Sequence, residues 1–221
     1  NIVIDKGEKW VRISGNVPKV SVRQMQIHPE TNDLVIGTHG RGIMILDDLA
    51  PIRALKSDML EEELVFLGSR PFEPFSPGIQ QRMEGDDGFT GSNPPGAVYI
   101  TYYLSKRHLF GDMYIEIFDE EGELIKKMPA GKRKGINRVA WNMRRDPPKV
   151  PSSVQLLGGA LVGPTYPPGD YTIKIIKGDN TYDGAITIAW ESESRHTIAD
   201  RNLRQETLEK SYELLEDLAY I

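Results

Sequence analysis

Asn1-Ile2-Val3-Ile4-Asp5-Lys6-Gly7-Glu8-Lys9-Trp10-Val11-Arg12-Ile13-Ser14 is the stretch on which the reading of the fold turns. Two short apolar runs flank a polar D-x-G-x-x-W segment. Each residue of that segment has a physical use in a tight hairpin. The Asp5 carboxylate can accept hydrogen bonds from backbone N–H groups two or three residues on. Gly7 supplies a positive φ that other residues resist. Trp10 can fold back over the turn as the next strand begins. The segment predicts a β-hairpin with Asp5, Gly7 and Trp10 as its structural residues.

Downstream, short apolar runs alternate with turns. Residues 11–14 read as a strand and 15–18, Gly-Asn-Val-Pro, as a turn. Residues 20–28 alternate, with Val20, Val22, Met25 and Ile27 apolar. A second turn at 29–33 leads to strands at 34–38 and 43–46, joined by His39-Gly40-Arg41-Gly42. Short strands with turns about every ten residues indicate an antiparallel all-β unit.

The D-x-G-x-x-W segment is the core of an Asp-box, although Val3 stands where a Ser or Thr is usual. The string His28-Pro29, Asn32-Asp33-Leu34-Val35, Gly37-Thr38-His39-Gly40-Arg41-Gly42-Ile43 and Ile45-Leu46-Asp47-Asp48 resembles the last blade of bacterial Asp-box β-propeller proteins, the BNR-type group related to the sortilin luminal domain. The resemblance is specific over residues 1–53 and looser beyond. It implies an exported protein (periplasmic, cell-surface or secreted) and, as partner of this chain, the remaining propeller blades. The opening in a strand, with no start methionine and no signal peptide, is what a fragment of a longer protein is expected to look like.

Residues 54–96 are rich in Pro and Gly, which excludes continuous helix or a central strand. Phe72, Phe75 and Phe89 suit a linker draped over a neighbour, because a free linker seldom carries that many aromatics. From Ala97 a second β unit is expected. Strands are predicted at 98–104, 113–119, 124–128, 135–143, 168–176 and 182–190, the second alternating Met113, Ile115, Ile117 against Tyr114, Glu116, Phe118. Six or seven strands over residues 97–192 fit an immunoglobulin- or fibronectin-like sandwich, with Trp141 in its core. The strings Asp-Glu-Glu-Gly-Glu-Leu-Ile, Gly-Ile-Asn-Arg-Val-Ala-Trp-Asn-Met and Pro-Gly-Asp-Tyr-Thr-Ile are similar to the sandwich modules that end many exported bacterial proteins. A long loop at 147–168 either covers the propeller or contacts a ligand.

Residues 197–221 read as an amphipathic helix. Thr197 and Asp200 are its caps, and Leu208, Tyr212, Leu215 and Ala219 form one apolar stripe. The stripe still runs where the sequence stops, so the helix either packs on its own domain or is the first half of a helical hairpin. The fold class is thus mainly β: a last-blade segment, a draped linker, an Ig-like sandwich and a C-terminal α-helix.

Composition narrows the chemistry. A net charge of −5 with no basic stripe argues against nucleic acid. No apolar run approaches the roughly 20 residues that span a bilayer. Zero cysteines exclude disulfides and thiolate metal sites. His28, His39, His108 and His196 lack paired metal spacing, and no cofactor fingerprint occurs. Asp47 and Asp48 are strand neighbours, pointing to opposite faces rather than forming a carboxylate pair. A glycosidase needs two carboxylates across its substrate. No catalytic residue is therefore assigned, and neither a cofactor nor a metal is expected. The ligand-binding candidates are His39 and Arg41 in the rim turn, with Asn16 and Lys19 beside them. Arg41 can hold a carboxylate or phosphate bidentately, or it can satisfy carbonyls of a neighbouring blade.

Three roles remain open at this point. The chain is a non-catalytic accessory or interaction module for a glycan or peptide. Alternatively it belongs to a propeller glycoside hydrolase whose carboxylates lie in other blades, or to a sortilin-like peptide-binding receptor.

Overall fold

The computed structural model describes residues 19–74, 96–149, 162–192 and 194–218. The fold is mainly β, with antiparallel sheets and one long C-terminal helix. Strands β1 (Val22–Ile27), β2 (Leu34–Thr38) and β3 (Ile43–Leu46) form a meander in the order β1-β2-β3. The apolar phase of the first strand changes between Val22 and Met25. The pairing shows why: Val22 lies opposite Thr38 and Gln24 opposite Gly37, so Arg23 is an extra residue. That bulge moves the following side chains to the other face.

The 28–33 turn is locked to the far end of β3. Asn32 adopts a positive φ of 57°. Asp48 N–H donates to Asp33 Oδ1 (2.8 Å), Leu49 N–H to Asn32 O (3.0 Å) and Arg53 Nη1 to Asn32 Oδ1 (2.8 Å). A five-residue helix, α1 (Ala50–Ala54), follows.

The sequence reading places 54–96 in a linker, and here the structure corrects it. Leu64–Leu67 is a strand, β4, paired antiparallel with β5 (Val98–Leu104). Its Leu-Val-Phe-Leu run is only four residues long and sits between Glu61-Glu62-Glu63 and Pro71, too short for any periodicity to show. Past it, Phe72 pairs with the last strand through its own N–H and C=O (2.9 and 2.8 Å). Phe75 and Phe89 lie outside the described residues.

The remaining strands are β6 (Met113–Phe118), β7 (Leu124–Pro129), β8 (Gly135–Trp141), β9 (Gly169–Lys177) and β10 (Asn180–Ile188). They build two sheets, β4-β5-β8 and β10-β9-β6-β7. Both contribute to one apolar core: Val98, Ile100, Tyr102 and Leu104 from β5 and Trp141 from β8 meet Ile115 and Ile117 from β6 and Tyr171, Ile173 and Ile175 from β9. Gly184 in β10 lets the Phe66 ring of β4 lie across it; a Cβ there would fall 2.5 Å from the ring. Without that glycine the two edge strands could not approach so closely.

Helix α2 (Ile198–Leu218) starts at a reciprocal cap. Asp200 N–H donates to Thr197 Oγ1 (3.2 Å), while Thr197 N–H donates to Asp200 Oδ2 (3.1 Å). The helix holds the two limbs of the long loop: Gln205 donates to Thr165 O (2.8 Å), Tyr212 to Asp146 O (3.3 Å), and Glu209 pairs with Arg145 (3.0 Å). Leu208 and Leu215 on that side are less exposed (37% and 38%) than Leu203, Leu214 and Leu218 (64%, 63% and 55%). Ala219 lies outside the described residues.

No closed barrel or propeller is present among the described residues; β1–β3 stand as a three-stranded sheet. The expected Asp-box residues Asp5, Gly7 and Trp10, and the strand at 11–14, lie outside them.

Candidate rim site and polar clusters

The 38–43 turn is shaped by two left-handed glycines, Gly40 (φ 76°) and Gly42 (φ 69°). Thr38 closes it by donating its N–H (3.1 Å) and hydroxyl (2.7 Å) to Gly42 O. His39 N–H donates to Ser21 O (2.9 Å). That bond sets the turn beside the segment leading into β1, where Lys19 lies. His39, Arg41 and Lys19 are all exposed. The side chain of Arg41 makes no hydrogen bond or ion pair among the described residues. Asn16 falls outside them.

Asp47 and Asp48 do not act together. Asp48, in a left-handed conformation (φ 50°), accepts from Ala50 N–H (3.0 Å) and starts α1. Asp47 is raised from its ordinary value by burial and by Asp33, with Arg138 opposing. Arg138 donates to the Asp47 carbonyl (3.1 Å) and stacks on Tyr99 (4.3 Å). That link ties the meander to the outer face of the β4-β5-β8 sheet.

Sequence reasoning missed a polar knot at the other end of the two sheets. Glu63 accepts from Lys177, Tyr182 and Asn180 (the last at 3.3 Å). The Lys177 and Tyr182 hydrogen bonds hold its carboxyl at about 2. Burial, then the Glu63 contact, pushes Tyr182 up to about 12. The partners lie more than a hundred residues apart in sequence, so no local pattern announces them. Since Glu63 is about half exposed, its ion pair is worth less than about 1 kcal/mol. A group with a depressed folded pKa stabilises above its unfolded value, near 4.5, and loses that contribution as pH falls towards about 2. Glu63→Gln is therefore expected to lower stability slightly at neutral pH and to match wild type near pH 2. Denaturant titrations across that range check the convergence; a constant difference would contradict it.

Beside the knot, a groove of about 480 Å³ runs between Glu61, Glu63 and Lys177 and the 105–110 loop. Among the described residues no cluster of His, Asp or Glu is arranged to hold a metal ion. No described helix is long and apolar enough to cross a membrane.

No family model matches the chain, and no curated protein matches it either. Among solved structures, it is similar to a chain from work on PorZ, described as an essential bacterial surface component of the type-IX secretion system of Porphyromonas gingivalis. The identity is 13% and the TM-score 0.28; the match covers 76% of this chain and 16% of that one. This chain thus corresponds to a small part of that protein's length, and a superposition this loose carries no argument about function.

Proposed function

We propose that this chain is the C-terminal part of an exported Asp-box propeller protein and serves there as a non-catalytic interaction module for a glycan or peptide. In this reading β1–β3 belong to the last blade, and the other blades are its partners. One observation carries it: the meander is apolar on both faces. Ile43 and Ile45 project from one face (73% and 60% exposed), and Met25 and Ile27 from the other (64% and 45%). The register places Met25 with Ile36 and Met44, opposite to the Ile43 side. A sheet that ends a domain hides one face and wets the other; a sheet with two apolar faces is built to be the middle layer of three.

The second unit is read as an immunoglobulin- or fibronectin-like sandwich. Its strand order, three against four with the first, second and fifth strands in one sheet, supports this. So does Tyr171, near the start of the sixth strand, whose hydroxyl donates to Pro167 O (2.5 Å), as a tyrosine corner does. Trp141 departs from the antibody pattern, because it ends the fifth strand rather than occupying the third.

The rim turn is the ligand contact in this account, and its cation is Arg41, which makes no ion pair among the described residues. Arg41→Ala is expected to weaken binding of uronic-acid oligosaccharides by the parent protein by about 1.5–3 kcal/mol, while leaving thermal stability within about 0.5 kcal/mol. Calorimetric titration and melting curves on one sample check both. A loss of stability with unchanged affinity would make Arg41 structural and remove the site.

A further inference from the structure

We propose that loops 105–112 and 130–134 together form a docking surface for an anionic lipid bilayer. The inference does not rest on the propeller reading. The first loop, Ser-Lys-Arg-His-Leu-Phe-Gly-Asp, carries an apolar tip that faces water: Leu109 is 65% exposed and Phe110 86%. A phenyl ring held that far out is not part of any core, and its exposure is enforced by the loop itself. Gly111 takes a left-handed φ of 85°. Its carbonyl accepts from Lys132 Nζ (3.1 Å) and lies 3.2 Å from His108 Nε2. His108 N–H donates to Lys132 O (3.1 Å), Ser105 N–H to Glu63 O (3.2 Å) and Gly178 N–H to Asp112 O (3.0 Å). The tip is thus displayed on a pinned scaffold.

The same bonds bring the second loop, with Lys132-Arg133-Lys134, alongside Lys106-Arg107. The two loops carry five Lys and Arg residues in a chain whose net charge is −5, with Lys132 bonded to Gly111 beside the tip. The side chains of Lys106, Arg107, Arg133 and Lys134 make no ion pair among the described residues. Asp112 is the one acid within the two loops. Glu61 and Glu63 line the groove with the first loop, and Glu63 there is already paired with Lys177.

Charge and shape select the occupant. The groove beside the loop has walls of both signs and so favours no single class of ligand. The tip and the cations of the two loops do. An aliphatic and an aromatic side chain that protrude, flanked by cations of the two loops, match the boundary of a bilayer. There an aromatic ring settles at headgroup depth and Lys or Arg pair with anionic headgroups. A folded acidic protein would instead need a broad complementary surface, about 800 Å² on each partner, and a narrow convex tip offers little of that.

Co-sedimentation of the chain with phosphatidylcholine vesicles, with and without phosphatidylglycerol, tests this. Binding is expected only when phosphatidylglycerol is present, and it should weaken as salt is raised. The pair Lys106→Glu and Arg107→Glu, and separately the pair Leu109→Ser and Phe110→Ser, should each reduce it by about tenfold or more. All four residues lie on exposed or half-exposed loop positions, so melting temperature should be unchanged. Absence of binding to the anionic vesicles would overturn the proposal. So would equal binding to neutral ones, or binding that either double variant retains. Capture of polyglutamate without capture of vesicles would assign the loops to an acidic protein and overturn it as well.

Discussion

Replacing Trp141 with Ala is expected to lower the stability of the chain by about 3–5 kcal/mol, the cost of deleting a large buried aromatic. The side chain is 1% exposed at the end of β8. It packs edge-on against Tyr171 (5.3 Å between centroids) and tilted against Tyr166 (5.7 Å). Its backbone pairs with Val98, so the ring bridges the start of β5, the start of β9 and the returning limb of the 147–168 loop. Among the described residues Trp141 Nε1 has no hydrogen-bond partner. Trp141→Phe therefore breaks no bond and should cost clearly less than Trp141→Ala. Urea denaturation of the two variants checks the order. A loss under about 1 kcal/mol for the Ala variant would mean that the core is not organised around this ring.

Gly163→Ala should cost about 1–3 kcal/mol, the range for forcing extra atoms into a packed site. A Cβ at that position would lie 2.4 Å from Arg145 O and 2.5 Å from Asp146 O. Both are backbone atoms in a segment that cannot easily retreat. Arg145 N–H donates to Pro164 O (2.9 Å), Tyr166 N–H to Met143 O (2.7 Å), and Arg144 Nη1 to Gly163 O itself (3.1 Å). The clash forces the two limbs apart, and α2 leans on both of them. Amide hydrogen exchange in α2 should accelerate with the fall in melting temperature. Unchanged exchange there would separate the helix from the loop limbs it contacts.

Apart from β4, the strands of the two sheets β4-β5-β8 and β10-β9-β6-β7 were legible because burial on one face writes itself into the sequence at period two. Met113, Ile115 and Ile117 are buried in β6 while Tyr114, Glu116 and Phe118 are half-exposed. The bulge at Arg23 was not legible in the sequence, where residues 20–28 pass as one alternating run; only the pairing with β2 reveals the extra residue. Leu64–Leu67 was not legible either, because four apolar residues carry no period and Pro/Gly-rich flanks dominate the window. The more exposed leucines of α2 were hidden for a different reason. Two stripes, Leu208 with Leu215 and Leu203 with Leu214, run down one helix, and reading either as the core face accounts for the pattern. The rim turn announced itself through Gly40 and Gly42. The Glu63 knot and the basic loop tip did not, since both are made by segments that only the fold brings together.

The reading of β1–β3 as a middle layer is tested most directly by thiol reactivity on its two faces. The chain has no cysteine, so Met25→Cys and Ile43→Cys each introduce a single reporter, on opposite faces of the sheet. In the separate chain both thiols should react rapidly with a maleimide. If β1–β3 are a propeller blade, both should be protected in the parent protein until it is denatured, because a blade would then lie against each face. Rapid labelling of either thiol in the folded parent would leave that face open to water and contradict the account.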